Sequence, residues 1–353
     1  MLERFEAHHF RCFERAVLPA DGRSVGLVGP NASGKTSVLE ALHFLSYGRS
    51  FRVNDRQQLI RAGSKGFRLT ARVSDAAGPA DLSARYLDGQ LTVEVSGRPA
   101  SGVGELASRI RAHLIDPSVH RLIEGIPQER RRLLDTGVFH VEPTYLADWR
   151  QYRRVLRQRN AALRSALPAN EISAWDAQLC DAAIRVDQTR ASYVHQWSKV
   201  FRSTSSAFGL MEASLEYRRG WAAGVDLAAA LSDSVARDLN AGVTSVGPHR
   251  ADVAVVLGGR SARRVVSRGQ QKLLASALVL SQLKLVQAVG QQPLLLLDDP
   301  GAELDVDNLG KFLAVIGELP VQIIATATFP AALEALPKLV MFHVKQAGLE
   351  PML

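Results

Sequence analysis

Cysteine is scarce: only Cys12 and Cys180 occur in 353 residues, and neither has a histidine or a second cysteine at ligand spacing. That excludes a disulfide framework and a structural zinc site. No apolar run reaches the roughly 18 residues a membrane span requires. The stretch after residue 272 is interrupted by Gln282 and Lys284. The opening MLERFEAHHFR carries charges where a secretory leader needs an apolar core, so the chain is expected in the cytoplasm and away from membranes. Internal repeats, low-complexity tracts and sustained heptads are also missing, which excludes solenoids and long coiled coils. What is present is an ordinary globular composition, 46% hydrophobic and 22% charged, with length for about two domains. A net charge of +8 points weakly to a polyanionic partner.

The chain is organised around residues 25–45, VGLVGPNASGKTSVLEALHFL. Val25 to Val28 read as a buried strand, Gly29 to Thr36 fit G-x-x-x-x-G-K-[ST], and Val38, Leu39, Leu42 and Leu45 follow at helical spacing. Gly29 and Gly34 allow a tight turn whose amides point at a polyphosphate lying on the helix N-terminus. Asn31, Ser33 and Ser37 complete the candidate contacts. Lys35 would reach the β- and γ-phosphates of ATP, and the Thr36 hydroxyl would ligate Mg²⁺. Arg11, in HFRCF, lies close enough before the loop to reach the nucleotide, although a surface-strand arginine is an equal reading.

Strand signals surround this motif. One or two strands precede it, and Arg68–Val73, Leu82–Tyr86 and Leu91–Val95 alternate around turn residues, with Asp88-Gly89 as a hairpin signal. From about 119 to 240 the pattern turns to long helices: one opened by Pro127, one from Thr144 to about Leu167, and one over about 171–206. Residues 121–164 hold ten Arg against five Asp or Glu, so +5 of the total +8 falls there. Arg150, Arg153, Arg154 and Arg157 share one helix face beside Trp149, Tyr152, Leu156 and Leu163, and Arg130, Arg131 and Arg132 lie on the helix before. These seven arginines are candidates for DNA phosphate contact; the alternative is a solvated face or packing within the fold.

Toward the C-terminus, Leu294–Leu297 run into Asp298-Asp299, reading as a central parallel strand that presents carboxylates at its end. Asp298 would hold Mg²⁺ through water, and Asp299 would polarise the attacking water. Ser267-Arg268-Gly269-Gln270 precedes a helix, and Glu303-Leu304-Asp305 follows the carboxylates.

In this order these motifs resemble the signature, Walker B and D-loop of ABC-type ATPases. The resemblance implies that Ser267, Gly269 and Gln270 contact the nucleotide of a second subunit and that Asp305, in the D-loop, is a nucleotide-binding residue as well. The 232 residues from Lys35 to Ser267 require an insertion in the ATPase head. The expected organisation is therefore α/β, a mixed sheet bearing the P-loop: head 1–118, helical insertion 119–240, head 241–353. Departures from the transporter pattern are Asp299 in place of Glu, Arg268 in place of Gly, Thr326-Ala327-Thr328 in place of a switch His, and Asp116-Pro117-Ser118 near the Q-loop position.

IDPSVHRLIEGIPQERRRLLD, YRRVLRQRNAAL, SVGPHRADV, SRGQQK and LLLLDDPGAELD together resemble the RecF family over nearly the whole chain. That resemblance implies an SMC-like head without the coiled coil, ATP-dependent homodimerisation on double-stranded DNA and slow ATP hydrolysis. It also implies work with RecR and RecO that helps RecA displace single-strand binding protein at gaps. The rival readings are another SMC-like ABC ATPase, a P-loop small-molecule kinase and a DNA-binding adaptor locked on ATP.

Overall fold

Alternating apolar and polar residues over the first hundred positions build an antiparallel sheet with one buried face. The computed structural model describes residues 1–302, 304–336, 338–345 and 348–352. In this sheet the strands run in the order Phe13–Pro19, Leu2–Phe10, Gly66–Asp75, Gly78–Leu87, Gln90–Val95 and Arg98–Pro99. A second six-stranded sheet has the order Gly348–Pro351, Val340–Lys345, Val25–Val28, Gln322–Ala327, Pro293–Leu297, Arg111–Ile115. Its strands are parallel except for the last hairpin. The strands Val25–Val28, Pro293–Leu297 and Gln322–Ala327 are buried throughout, as continuous apolar runs in a covered parallel sheet should be.

The helix Lys35–Tyr47 packs against strands of both sheets and is buried at every position from Ser37 to Ser46. Its spacing predicts a single apolar stripe; the second covering sheet explains why its polar face is buried too. One core joins the two sheets and this helix, from Phe5 and Phe67 through Leu42 to Leu296 and Ile324.

The chain divides into two compact units, residues 1–120 with 268–353, and residues 121–267. The insertion therefore ends at 267 rather than 240. The reason is strand pairing: Ala213–Arg218 and Asp252–Leu257 run antiparallel, from Asp252 opposite Arg218 to Leu257 opposite Ala213, with Arg260–Ser261 on the far edge. That small sheet draws 241–267 into the inserted unit, which is thus not purely helical. Its principal helices are Pro127–Val141, Tyr145–Arg164, Asp176–Ala207 and Leu227–Ala241. The expected helix over 171–206 is two, Ala169–Ser173 and Asp176–Ala207. Among the described residues no helix is long and apolar enough to cross a membrane.

Candidate nucleotide-binding site

The parallel strands end at one edge, where Val28 lies opposite Ala327 and Leu297 opposite both Ala325 and Ile115. Residues just beyond them, Gly29, Asp116, Asp298 and Asp299, gather where open α/β sheets bind ligands. The loop from Gly29 to Gly34 requires its glycines. A Cβ on Gly29 would lie 2.5 Å from Val344 O, and one on Gly34, at φ 109°, would meet the Phe13 ring at 2.7 Å and Cys12 Sγ at 2.8 Å.

Lys35 folds back over the loop, donating from Nζ to Gly29 O at 2.7 Å and Pro30 O at 2.8 Å. Burial lowers its pKa, and the charges of Asp299 and Asp298 oppose that shift. Thr36 Oγ1 donates to Asp298 Oδ1 at 2.9 Å, and Thr326 Oγ1 donates to the same oxygen at 2.7 Å. The Asp299 amide in turn donates to Thr326 Oγ1 at 3.0 Å. Burial raises the Asp298 pKa against these hydrogen bonds, and burial likewise raises that of Asp116. Two desolvated carboxylates beside an apolar sheet favour a cation.

The residues present suit ATP and Mg²⁺. The backbone amides of Gly34, Lys35 and Thr36 have no acceptor among the described residues, and Ser33 Oγ is buried without a partner. A phosphate lying in the loop would supply both. Ser37 stands on the first helical turn with its amide on Gly34 O at 2.9 Å, and Asn31 is exposed at the loop tip. No group of three or more His, Cys, Asp or Glu suited to a metal occurs among the described residues. Mg²⁺ would therefore depend on Thr36, Asp298 and the nucleotide's own oxygens.

Several expected contacts stand elsewhere. Arg11 is committed to Glu40 rather than to the loop: Nε and Nη2 donate to its carboxylate at 2.8 and 2.7 Å, and Nη1 donates to Gln58 O at 2.9 Å. Glu40 is fully buried on the loop helix, so its charge must be matched, and that need outweighs a reach toward phosphate. Asp305 caps the helix Val306–Gly317, accepting from the Asn308 amide at 2.8 Å, and these bonds lower its pKa. Glu303 lies outside the described residues. Ser267 is exposed immediately before the helix Arg268–Ala288, with Gly269 and Gln270 in its first turn. Thr326, noted in the sequence only at the position of a switch His and given no role there, belongs to this set; a polar side chain next to the end of the apolar run QIIATA is its signal.

The arginines separate into two kinds. Arg130 is tied to Asp252 at 2.8 and 3.0 Å, and Arg131 donates to Ala251 O at 2.7 Å. Both bond within the inserted unit, as packing of the fold requires. Arg132, Arg150, Arg154 and Arg157 are exposed, with no ion pair among the described residues. Arg153 is exposed and sits 5.7 Å from the Trp149 ring. Arg159, in the same basic run, is fully buried on Asp176, Asp238 and Thr244.

The model of the RecF/RecN/SMC N-terminal domain matches residues 1–350. The DNA replication and repair protein RecF of Thioalkalivibrio sulfidiphilus is 36% identical over 99% of both chains. That of Pseudomonas entomophila is 37% identical over 98% of this chain and 96% of its own. A solved structure of the recombination mediator RecF with ATP, of the RecFOR pathway, superposes with a TM-score of 0.89 at 24% identity, covering 100% of this chain and 97% of that one. An SMC head bound to the C-terminal winged-helix domain of ScpA follows at 0.61 and 16%, covering 99% and 96%, a likeness of fold alone. The chain belongs to the RecF family of DNA replication and repair proteins, SMC-like ATPases of the ABC type.

Proposed function

We propose that this protein is an ATP-driven DNA clamp acting as a recombination mediator in gap repair. The observation that carries the reading is the bonded set Lys35, Thr36, Asp298 and Thr326 beneath a loop whose amides await an acceptor. ATP is the substrate of this set. Lys35 would leave the loop carbonyls for the β- and γ-phosphates, and the free amides would hold their oxygens. Mg²⁺, held by Thr36 and Asp298, would supply charge neutralisation at the phosphates. Asp299 would orient the attacking water, and its side chain, one methylene shorter than Glu, suits slow turnover.

Ser267 with Gly269 and Gln270, at a helix N-terminus, would close over the ATP of a second copy, giving a two-fold homodimer with two enclosed nucleotides. Duplex DNA would be held by backbone phosphates without base readout, and hydrolysis would reopen the clamp. Asp305, as a helix cap, would place its loop at the same dimer face. The family points to RecR and RecO as partners and to loading of RecA onto single strands coated with single-strand binding protein.

Sedimentation velocity of wild type, Lys35→Met and Ser267→Arg, each with no nucleotide, ADP or ATP and with or without a short duplex, tests the clamp. Dimerisation of the wild type alone, with ATP alone, and duplex binding that rises with it are the expected results. A wild type that stays monomeric with ATP and duplex would remove the role of Ser267 in a second copy's site.

A further inference from the structure

From residue 253 to 297 the chain carries no acidic residue and six basic ones, Arg260, Arg263, Arg264, Arg268, Lys272 and Lys284. The first three lie at the end of the small sheet of the inserted unit. There a cleft of about 520 Å³ is lined by Arg130, Arg218, Asp252, Ser261, Arg263 and Arg264. Its charges are unevenly matched. Arg130 is saturated by Asp252 and by Leu122 O and Gly125 O, so it forms wall rather than binding charge. Arg218 reaches Glu216 at 3.3 Å, a pair whose side chains are 65% and 54% exposed and which counts for little in water. Arg263 and Arg264 are exposed and have no ion pair among the described residues.

Guanidiniums converging on one cleft whose lining carboxylate, Asp252, is already taken up by Arg130 repel one another until an anion enters, and their planar donors match phosphate oxygens. We propose that this cleft is a second phosphate site, separate from the P-loop, and that it takes backbone phosphates of duplex DNA. Arg263 and Arg264 are the principal contacts, with Arg218 and the Ser261 hydroxyl beside them. An extended polyanion fits better than a small ion because the cationic run continues beyond the cleft to exposed Arg260 on the adjoining edge strand. The inference rests on the duplex-binding reading above and locates part of that surface away from the arginine helix.

The site also has a mechanical consequence. Arg263 and Arg264 ride on the single turn Ala262–Val265, pinned by the buried Ala262 and by the Val266 amide on Ala262 O at 3.2 Å. Ser267 follows three residues after Arg264. A phosphate held here restrains the segment that presents the signature serine, so duplex binding and ATP turnover are linked through it.

The test is fluorescence polarisation of a labelled duplex with the full chain and ATP over a salt series. The variants are R263Q/R264Q, the charge-preserving R263K/R264K, and R150Q/R154Q on the arginine helix. Loss of two phosphate contacts makes the slope of log affinity against log salt shallower by about 2 in R263Q/R264Q, with affinity down about tenfold or more. The lysine variant keeps the wild-type slope, ATP binding is unchanged, and duplex stimulation of ATP turnover is lost in the glutamine variant. Wild-type affinity and slope in R263Q/R264Q would overturn the site while leaving duplex binding intact. A wild type that binds no duplex would overturn both. Calorimetry with inorganic tripolyphosphate on a Lys35→Ala background supplies the remaining arm: binding that needs Arg263 and Arg264, with duplex affinity unaffected by their loss, would assign the cleft to free polyphosphate and overturn the duplex assignment.

Discussion

Thr326 uses one hydroxyl to hold two neighbours. It donates to Asp298 Oδ1 and accepts the amide of Asp299, whose φ of 43° places it in the left-handed region that a non-glycine residue enters at a cost. The geometry of both carboxylates beside the loop is thereby fixed from a third strand. Thr326→Val keeps the shape and removes the oxygen, leaving the Asp299 amide without an acceptor at a cost of about 1–3 kcal/mol. Lys35 and the loop amides are untouched, so the expected result is ATP affinity within a fewfold of wild type and kcat lower by about tenfold or more. Thr326→Ser restores the rate. A valine variant with wild-type kcat, measured beside its melting temperature, would show that Asp299 is placed without this bond.

At the scale of elements, the loop helix Lys35–Tyr47 is a covered rod rather than a surface helix, and it carries Glu40 at 0% exposure. Arg11 answers it from the turn between two strands, and Ser50 Oγ donates to the same carboxylate. Removing Arg11 leaves the buried Glu40 with only the longer pair to Arg52 at 3.8 Å and the Ser50 hydroxyl, so Arg11→Met should destabilise the protein by about 3 kcal/mol. Arg11→Met with Glu40→Leu should recover much of that loss in urea denaturation. If instead Arg11→Met weakened ATP binding at unchanged stability, the side chain would serve nucleotide and not Glu40. Glu40 also shows where sequence reading stops. The P-loop, its helix and the strand before Asp298 are legible because their signals are local: glycines at fixed spacing, a 3.6 period, a leucine run. The ion pairs of Arg11 and Arg130 are not legible because their carboxylates, Glu40 and Asp252, lie 29 and 122 residues away. The end of the insertion is not legible for the same reason, since the pairing of Ala213–Arg218 with Asp252–Leu257 is set by a partner strand that no local period reveals.

Across the whole molecule, desolvation lowers the pKa of three histidines, and at His249 the charge of Asp238 opposes the shift without cancelling it. Burial pushes His43 down to about 3, and His113 and His249 down to about 4, each holding a backbone carbonyl through one ring nitrogen: Arg49 O, Arg111 O and Thr244 O. In the unfolded chain each titrates near 6.5. Between those values the unfolded chain binds more protons, so the stability these sites contribute is complete above about pH 6.5 and is lost as pH falls toward 4. At about 1.4 kcal/mol per pH unit, each histidine withdraws about 2 kcal/mol by pH 5. Asp116 and Asp298 act in the opposite sense, because burial raises their pKa and protonation relieves a native-state cost. The urea midpoint is therefore expected to drop steeply from pH 7 to pH 5, in both units, since His43 and His113 belong to one and His249 to the other. His113→Gln keeps a polar ring-sized group that does not titrate, and should remove about a third of that slope. A midpoint unchanged over pH 7 to 5 would mean that these rings find water or a proton in the native state, against their burial.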